Sequence, residues 1–512
     1  MQKLPIGEQF FARLRERNLL YVDKTEQIFN LMNVGSQVFL SRPRRFGKSL
    51  LTTTLKEIYR GNRALFQGLW IEDKLDWQPR PVILINFNAL NYRERSLAEA
   101  LADQMDKLAS DYNLTLSERD HKGKFRELIL LLAEQNDVIL LIDEYDKPLT
   151  DHLEDEAQLQ ENIATLRNFY SVLKSPEGER IYFTFITGVS KYGKISIFSE
   201  LNNLLDITLD VRFAMLLGYT QTELEHYFSD YIDRLVTTFQ TTHAEILKQI
   251  ARWYDGYSWD GAHTVYVPYS TLLFLEQQTF TNHWYSTGTP SFLIKLLRSH
   301  HIPAYQLADL SADATLLESA DVNDISVLSL LFQTGYLTIK ARKDSFLGTT
   351  YNLGYPNYEV AQSFQRHLLA DYLDQNVDRI SSSLLQNLQR ALATRSLDAF
   401  ITIFQSVFAT IPSHLFLPQE AYYHSVVYLV LKLLGFTIHA EWPTNLGRID
   451  AVLELPDTIY LLEFKMSSGA IALQQIRDKQ YAQPFLGSDK TVILLGIAFD
   501  RESRNIVDWK HA

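Results

Sequence analysis

The chain has 512 residues, 46% of them hydrophobic and 21% charged, with a net charge of −12 and no cysteine. Two to four domains are expected from that length, and disulfides, thiolate zinc sites and a cysteine nucleophile are excluded. The acidic balance excludes a protein that coats nucleic acid through bulk charge, although an enzyme can confine positive charge to one groove.

Residues 1–20 mix Lys, Glu and Arg into their apolar positions and lack the apolar stretch of a secretory signal. No apolar run approaches bilayer-spanning length, so a cytoplasmic protein without a membrane partner is expected. In chain order, apolar runs at 38–40, 82–87, 138–142 and 181–186 read as buried parallel strands. Helical spacing at 97–108, 124–134 and 159–173 separates the later ones, which is the α/β pattern. Helices dominate from about 218, with clear amphipathic segments at 220–231 and 244–253 and a turn at Trp253-Tyr-Asp-Gly-Tyr-Ser-Trp259. Strands are expected at 336–341 and 349–353. The last hundred residues return to α/β, with a helix at 420–434, a hairpin at 449–464, a helix at 470–483 and a strand at 491–497. The expected division is 1–217, an α/β core; 218–415, a helix-rich connector; and 416–512, a second α/β domain.

After the first strand comes Ser41-Arg-Pro-Arg-Arg-Phe-Gly-Lys-Ser49 and then a helical run. A strand, a loop ending in Gly-Lys-Ser and a helix is the context of a phosphate loop. Gly47 lets backbone approach phosphate, Lys48 neutralises the β/γ-phosphates, and Ser49 offers a hydroxyl to Mg²⁺, with Arg45 beside them and helix amides aimed at the anion. Arg42 stands where the first glycine is customary, so the fragment alone also reads as a basic loop leading into an ordinary helix. The strand Asp137-Val-Ile-Leu-Leu-Ile-Asp-Glu-Tyr-Asp146 supplies what the loop lacks. Asp143 suits the Mg²⁺ shell, and Glu144 can polarise a water against the γ-phosphate. Thr187, closing the strand 181–186, is a candidate γ-phosphate sensor or the start of a turn. Arg212 is a conceivable second sensor, with surface ion pairing the plainer reading.

These segments, together with Tyr21-Val-Asp-Lys-Thr25, Thr287-Gly-Thr-Pro290 and Gln333-Thr-Gly-Tyr-Leu-Thr-Ile-Lys340, resemble the bacterial and archaeal AAA-ATPase-like family, whose members commonly carry a C-terminal nuclease-like domain. The resemblance covers nearly the whole chain and implies a P-loop NTPase fold and ATP binding. The Arg-Pro-Arg-Arg loop fits that family, whereas Tyr266-Val-Pro268 departs from it in lacking Asn before the proline.

In Gly447-Arg-Ile-Asp-Ala-Val-Leu-Glu-Leu-Pro-Asp-Thr-Ile-Tyr-Leu-Leu-Glu-Phe-Lys465, two apolar strands flank a good turn sequence. A turn symmetric about Pro456-Asp457 puts Asp450 opposite Glu463, and the two-residue repeat of a strand puts Lys465 on the face of Glu463. Adjacent carboxylates repel unless a cation lies between them, and hard oxygen ligands favour Mg²⁺ or Mn²⁺. A cross-strand Lys–Glu ion pair on a solvated face is the alternative. The constellation resembles the PD-(D/E)xK nuclease superfamily and implies a restriction-endonuclease-like α/β domain. Asp450, Glu463 and Lys465 match its core motif, Glu420 its frequent additional acid, and Gln475 and Tyr481 the helix that follows. Ile449 stands where proline is common. Arg477 and Lys479 offer charges to phosphates or simply solvate a helix face. His424, one turn from Glu420, supports the site or only local polarity.

The expected function is an ATP-binding and ATP-hydrolysing protein that controls a Mg²⁺-dependent nuclease, with nucleic acid, DNA foremost, as partner. One alternative is a regulatory nucleotide switch whose nuclease-like domain is inactive and serves binding or structure; another is an ATPase acting on proteins. A homo-oligomer is compatible with the sequence.

Overall fold

Runs such as Val138-Ile-Leu-Leu-Ile142 are apolar on both faces, and such strands are stable only where helices cover a sheet from both sides. In the computed structural model this is what they form. The structure describes residues 1–191, 197–198, 203–284, 291–314, 317, 326–346, 348–373, 382–412, 419–433 and 435–512. The segment Thr287-Gly-Thr-Pro290 lies outside the described residues. Strands β1 (Gln37–Ser41), β2 (Val82–Asn86), β3 (Val138–Asp143), β4 (Ile181–Gly188) and β5 (Leu205–Asp206) make one sheet in the order β2-β3-β4-β1-β5. Every pairing in it is parallel.

Each anticipated strand of this sheet is present: β1 and β3 run one residue past their apolar runs to Ser41 and Asp143, β4 runs two further to Gly188, and β2 stops at Asn86, one residue short of the expected end. The register sets Ser41 beside Gly188 and Asn86 beside Asp143, so these ends share one edge of the sheet. In an open α/β sheet that edge is where ligands bind. Helices Leu97–Asp111, His121–Ala133 and Glu156–Tyr170 pack onto the sheet through Leu101, Phe125, Leu128 and Leu166, all fully buried. The amphipathic stretch at 220–231 is two helices, Gln221–Tyr227 and Ser229–Phe239, broken at Phe228, whose ring turns into the core 5.2 Å from Tyr219. A small sheet follows in the order β6-β8-β7, from Leu310–Asp313, Thr338–Ser345 and Gly348–Gly354.

The last sheet runs β13-β12-β11-β10-β9, from β9 (Thr437–Thr444), β10 (Gly447–Glu454), β11 (Thr458–Lys465), β12 (Thr491–Asp500) and β13 (Asn505–His511). β9 and β13 were not anticipated. Both are edge strands with mostly half-exposed side chains, and they carry polar residues where a central strand would carry an apolar run. The helix expected over 470–483 ends at Asp478, Gln480 is left-handed (φ 50°), and a short turn Gln483–Phe485 holds Pro484.

Contacts divide the chain into two compact units, Met1–Gly288 with Ser311–Val360, and Thr289–Leu310 with Ala361–Ala512. The three-part expectation has its boundaries at 217 and 415. Here 218–288 cluster with the parallel sheet, and 289–310 and 361–415 with the C-terminal sheet. No described helix is long and apolar enough to cross a membrane.

The helix Gly469–Asp478 lies close on β11, β12 and β13, and two glycines permit it. A Cβ on Gly496 would meet Gly469 O and Leu473 N, each at 2.4 Å. Backbone atoms cannot give way cheaply, so Gly496→Ala should destabilise the C-terminal unit by about 1–3 kcal/mol, read as a lower denaturation midpoint. An unchanged midpoint would contradict this packing.

Candidate functional site

The phosphate loop leaves β1 between β4 and β5, and its residues point in different directions for different reasons. Arg42 turns inward and is fully buried. Its guanidinium donates to Ser41 O and Thr208 O, both at 2.9 Å, and to Phe213 O at 3.1 Å. The charge lies 4.0 Å over the Trp259 ring, and burial lowers its pKa to about 9 against the pull of Asp206. Arg42 therefore replaces the customary glycine as an anchor, tying the loop to chain that follows the sheet. Phe46, also buried, meets Tyr257 and Trp259 edge-to-face at 4.8 and 5.3 Å. Arg45 is left-handed (φ 71°), and its guanidinium stacks 4.2 Å over Tyr269. Trp284 Nε1 donates to Arg44 O at 3.2 Å. Aromatic residues of the helical region thus hold the loop from Arg42 to Phe46.

Gly47 has φ 90°, a conformation open to glycine at little cost, and starts the helix Lys48–Tyr59. Lys48 Nζ folds back onto Arg42 O (2.9 Å) and Pro43 O (3.0 Å). Burial lowers the Lys48 pKa, while Asp143, Glu144 and Asp146 oppose the shift. Asp143 is buried at the end of β3, where Asn86 donates to its Oδ2 at 3.2 Å and the Ser49 hydroxyl lies beside it. Its Oδ1 is buried with no protein partner. Burial raises the Asp143 carboxyl, and burial followed by the charge of Asp143 raises Glu144. Glu144 has φ 55°, a strained setting for a non-glycine residue that re-aims its side chain as β3 ends.

The structure therefore brings Lys48, Ser49, Asp143 and Glu144 together. Thr187 stands behind them, its hydroxyl donating to Leu40 O at 2.8 Å. Arg212 is exposed and paired with Asp210. Sequence reasoning missed Asn86, Asp146 and the aromatic hold. Asn86 carried a signal, being a polar residue at the end of an apolar strand just as Asp143 is. Asp146 accepts from Ser190 N (2.7 Å) and Ser190 Oγ (2.8 Å), which fixes the loop after β4. An apolar cavity of about 80 Å³ adjoins the loop, lined by Tyr21, Val22, Gly47, Leu51, Leu217 and Tyr219 among others.

In the C-terminal unit, β10 and β11 pair with Ala451 opposite Leu462, so one step further Asp450 and Glu463 are abreast. There the ladder opens, and Phe464 N donates to Asp450 Oδ2 at 2.7 Å instead. Glu463 is fully buried. Lys465 Nζ donates to its Oε1 at 3.0 Å, Gln475 Nε2 donates to the same oxygen, and Oε2 is buried without a partner. Burial and then the charge of Glu463 raise Asp450 to about 7. Burial raises Glu463 in spite of Lys465. For Lys465 burial acts downward, yet Glu463, Asp450 and Glu420 hold it above its ordinary value. Glu420 opens the helix Glu420–Leu433, half-buried and raised by burial, with Lys465 opposing. His424 is buried, and burial depresses it to about 3. Tyr481 is buried, with Gln475 beside its hydroxyl. Arg477 and Lys479 are exposed on the outer helix face. Among the described residues no three of His, Cys, Asp and Glu gather closely enough to hold an ion alone. The pair Asp450–Glu463 would leave positions for water or a substrate oxygen, as Mg²⁺ sites commonly do.

Arg42→Gly, which installs the customary glycine, takes a donor from each of three carbonyls and removes the Trp259 contact. It should cost about 3 kcal/mol or more in unfolding free energy; stability equal to wild type would contradict the anchoring role. Comparison with known proteins agrees with both halves of this geometry. A family model described as "Predicted AAA-ATPase" matches residues 5–198, and one described as "PD-(D/E)XK nuclease superfamily" matches 418–509. An "Uncharacterized protein in vnfD 5'region" of Azotobacter chroococcum mcd 1 is 37% identical over 521 residues, spanning 99% of this chain and 98% of its own. The chain belongs to the predicted AAA-ATPase family and carries a C-terminal domain of the PD-(D/E)XK nuclease superfamily.

Proposed function

We propose that the protein binds and hydrolyses ATP and thereby controls a divalent-metal-dependent nuclease that cuts phosphodiesters, with DNA the favoured substrate. One observation carries the reading above all. Asp450, Glu463 and Lys465 converge on a site where a buried carboxylate oxygen, Glu463 Oε2, has no partner in the protein. Such an atom is costly unless something absent from the protein itself satisfies it. The donor set is hard oxygen, which suits Mg²⁺ or Mn²⁺.

At the loop, Lys48 would leave the carbonyls of Arg42 and Pro43 for the β/γ-phosphates, and the first amides of Lys48–Tyr59 would receive phosphate oxygens. Ser49 and Asp143 would hold Mg²⁺, for which the free Asp143 Oδ1 is suited. Glu144 would orient a water toward the γ-phosphate. Arg45 would flank the phosphates from its stack on Tyr269, and Thr187 would act from behind the loop by fixing Leu40 O. At the other site Asp450 and Glu463, with Glu420 beside them, would hold the second ion. A bound divalent cation supplies Lewis acidity and lowers the pKa of its water. Lys465 stays protonated among three carboxylates and would meet negative charge developing on the phosphate, while Gln475 fixes Glu463.

The acidic net charge and the lack of a three-ligand cluster among the described residues favour a second reading, a nucleotide switch whose nuclease-like domain is inactive.

Lys48→Ala should weaken ATP binding by at least tenfold, since a buried charged contact to phosphate is lost; unchanged affinity by calorimetry would refute the loop assignment. With Mg²⁺ and ATP the wild type should cut DNA, and Asp450→Ala or Lys465→Ala should abolish cutting with ATP affinity intact. Cutting that survives both would refute the site. Because Asp450 holds its proton up to about pH 7, binding of Mn²⁺ should strengthen as pH rises from 6 to 8 and release protons at pH 6.5. The same carboxyl stabilises the metal-free fold below its unfolded pKa near 4, and that contribution is lost as pH rises toward 7. Calorimetry in two buffers of different ionisation enthalpy reads the release, and Asp450→Asn should remove it.

A further inference from the structure

The matched nuclease-superfamily segment, 418–509, does not contain every residue around the carboxylates. Residues Thr289–Leu310 precede it by more than a hundred positions, yet cluster with the C-terminal unit. Within them, the turn Ala304–Ala308 is pinned by Ala304 and Leu307, both buried, and Ala304 N donates to Ser425 Oγ at 3.2 Å. That seats the Tyr305 ring face-to-face on His424, 4.1 Å between centroids and 23° from parallel. The His424 ring lies 5.1 Å from that of Phe464, the residue between Glu463 and Lys465. Tyr305 thus stacks on His424, whose ring in turn meets that of Phe464 at a 46° tilt, so the row of rings ends on the strand that carries the site.

The Tyr305 phenol is half-buried and lies in the field of Glu441, Asp450 and Glu420, all acidic. Burial and those charges push it up to about 12, so it keeps its proton. Its hydrogen-bonding neighbour is its chain neighbour Gln306. Around it the site is rich in acceptors, and of the three Lys465 N–H donors two go to Glu463 Oε1 and, at 2.8 Å, to Phe464 O, leaving one for substrate. A phosphodiester adds more acceptors, and an anionic strand approaching three carboxylates needs neutral or positive donors to orient it.

We propose that Tyr305 is a substrate-positioning residue of the nuclease site, its hydroxyl donating to a phosphate oxygen of the bound strand while the stack on His424 fixes its ring. The assignment rests on the nuclease reading given above. The histidine serves as a platform: buried and neutral, it orders Tyr305.

The test uses the full-length protein. Tyr305→Phe keeps the ring and removes only the hydroxyl. It should slow cleavage of a labelled duplex in Mg²⁺ and ATP by about tenfold, the worth of one hydrogen bond to a charged group. It should weaken binding of the same duplex, held uncut in Ca²⁺ and followed by fluorescence anisotropy, by a similar factor. The melting temperature and ATP affinity should match wild type, which a merely structural role would not predict for lost DNA binding. Tyr305→Ala, which also removes the stack, should in addition lower the melting temperature. If Asp450→Ala is inactive and Tyr305→Phe cuts and binds as wild type, the inference is overturned and the nuclease reading stands. If the wild type cuts no better than Asp450→Ala, both are overturned.

Discussion

A carboxylate oxygen buried without a donor raises the free energy of a fold, and at both candidate sites the chain keeps one. Asp143 Oδ1 ends the strand beside the phosphate loop, and Glu463 Oε2 lies on the hairpin of the C-terminal sheet. Each is held in place by groups that satisfy only its other oxygen, Asn86 for Asp143 and Lys465 with Gln475 for Glu463. Local rules of polar satisfaction tend to be broken at functional sites, with the surrounding structure compensating. Here the compensation comes from strands buried on both faces, which fix where the acids point, and from raised carboxyl pKa values that let protons stand in where a cation would otherwise be needed.

The phosphate loop shows the same division of labour. The chemistry we propose for it falls to Gly47, Lys48 and Ser49, while its shape is carried by Arg42 and Phe46, buried against Trp259 and Tyr257. Arg42, fully buried with its guanidinium turned onto three backbone carbonyls inside the fold, is not presented to phosphate. The loop without its leading glycine is fastened to the helical region that follows the sheet. Trp284, bonded to the Arg44 carbonyl, and Tyr269, under Arg45, belong to the same fastening. Movement of the loop on nucleotide binding would be felt there first.

Much of this was legible in sequence where a single stretch of chain contains the whole signal. Val138-Ile-Leu-Leu-Ile142 ends in two acids, and no distant residue is needed to read that. The pairing of Asp450 with Glu463 was legible because Pro456-Asp457 centres a short turn, and a turn's centre determines its register. The edge strands β9 and β13 were not legible, since their half-exposed side chains lack both a continuous apolar run and clean alternation. Nor was the hold on the phosphate loop, because its partners lie far along the chain, 240 residues apart for Arg44 and Trp284. Arg42 looked like an anomaly for that reason alone.

In the function proposed, nucleotide bound at Lys48 governs chemistry at Asp450. The direct measurement is cleavage of one labelled DNA in Mg²⁺, with and without ATP, by wild type and by Lys48→Ala. Cleavage by the wild type that changes severalfold with ATP, and cleavage by Lys48→Ala that is insensitive to it, is the predicted result. Equal cleavage by both proteins under both conditions would contradict it.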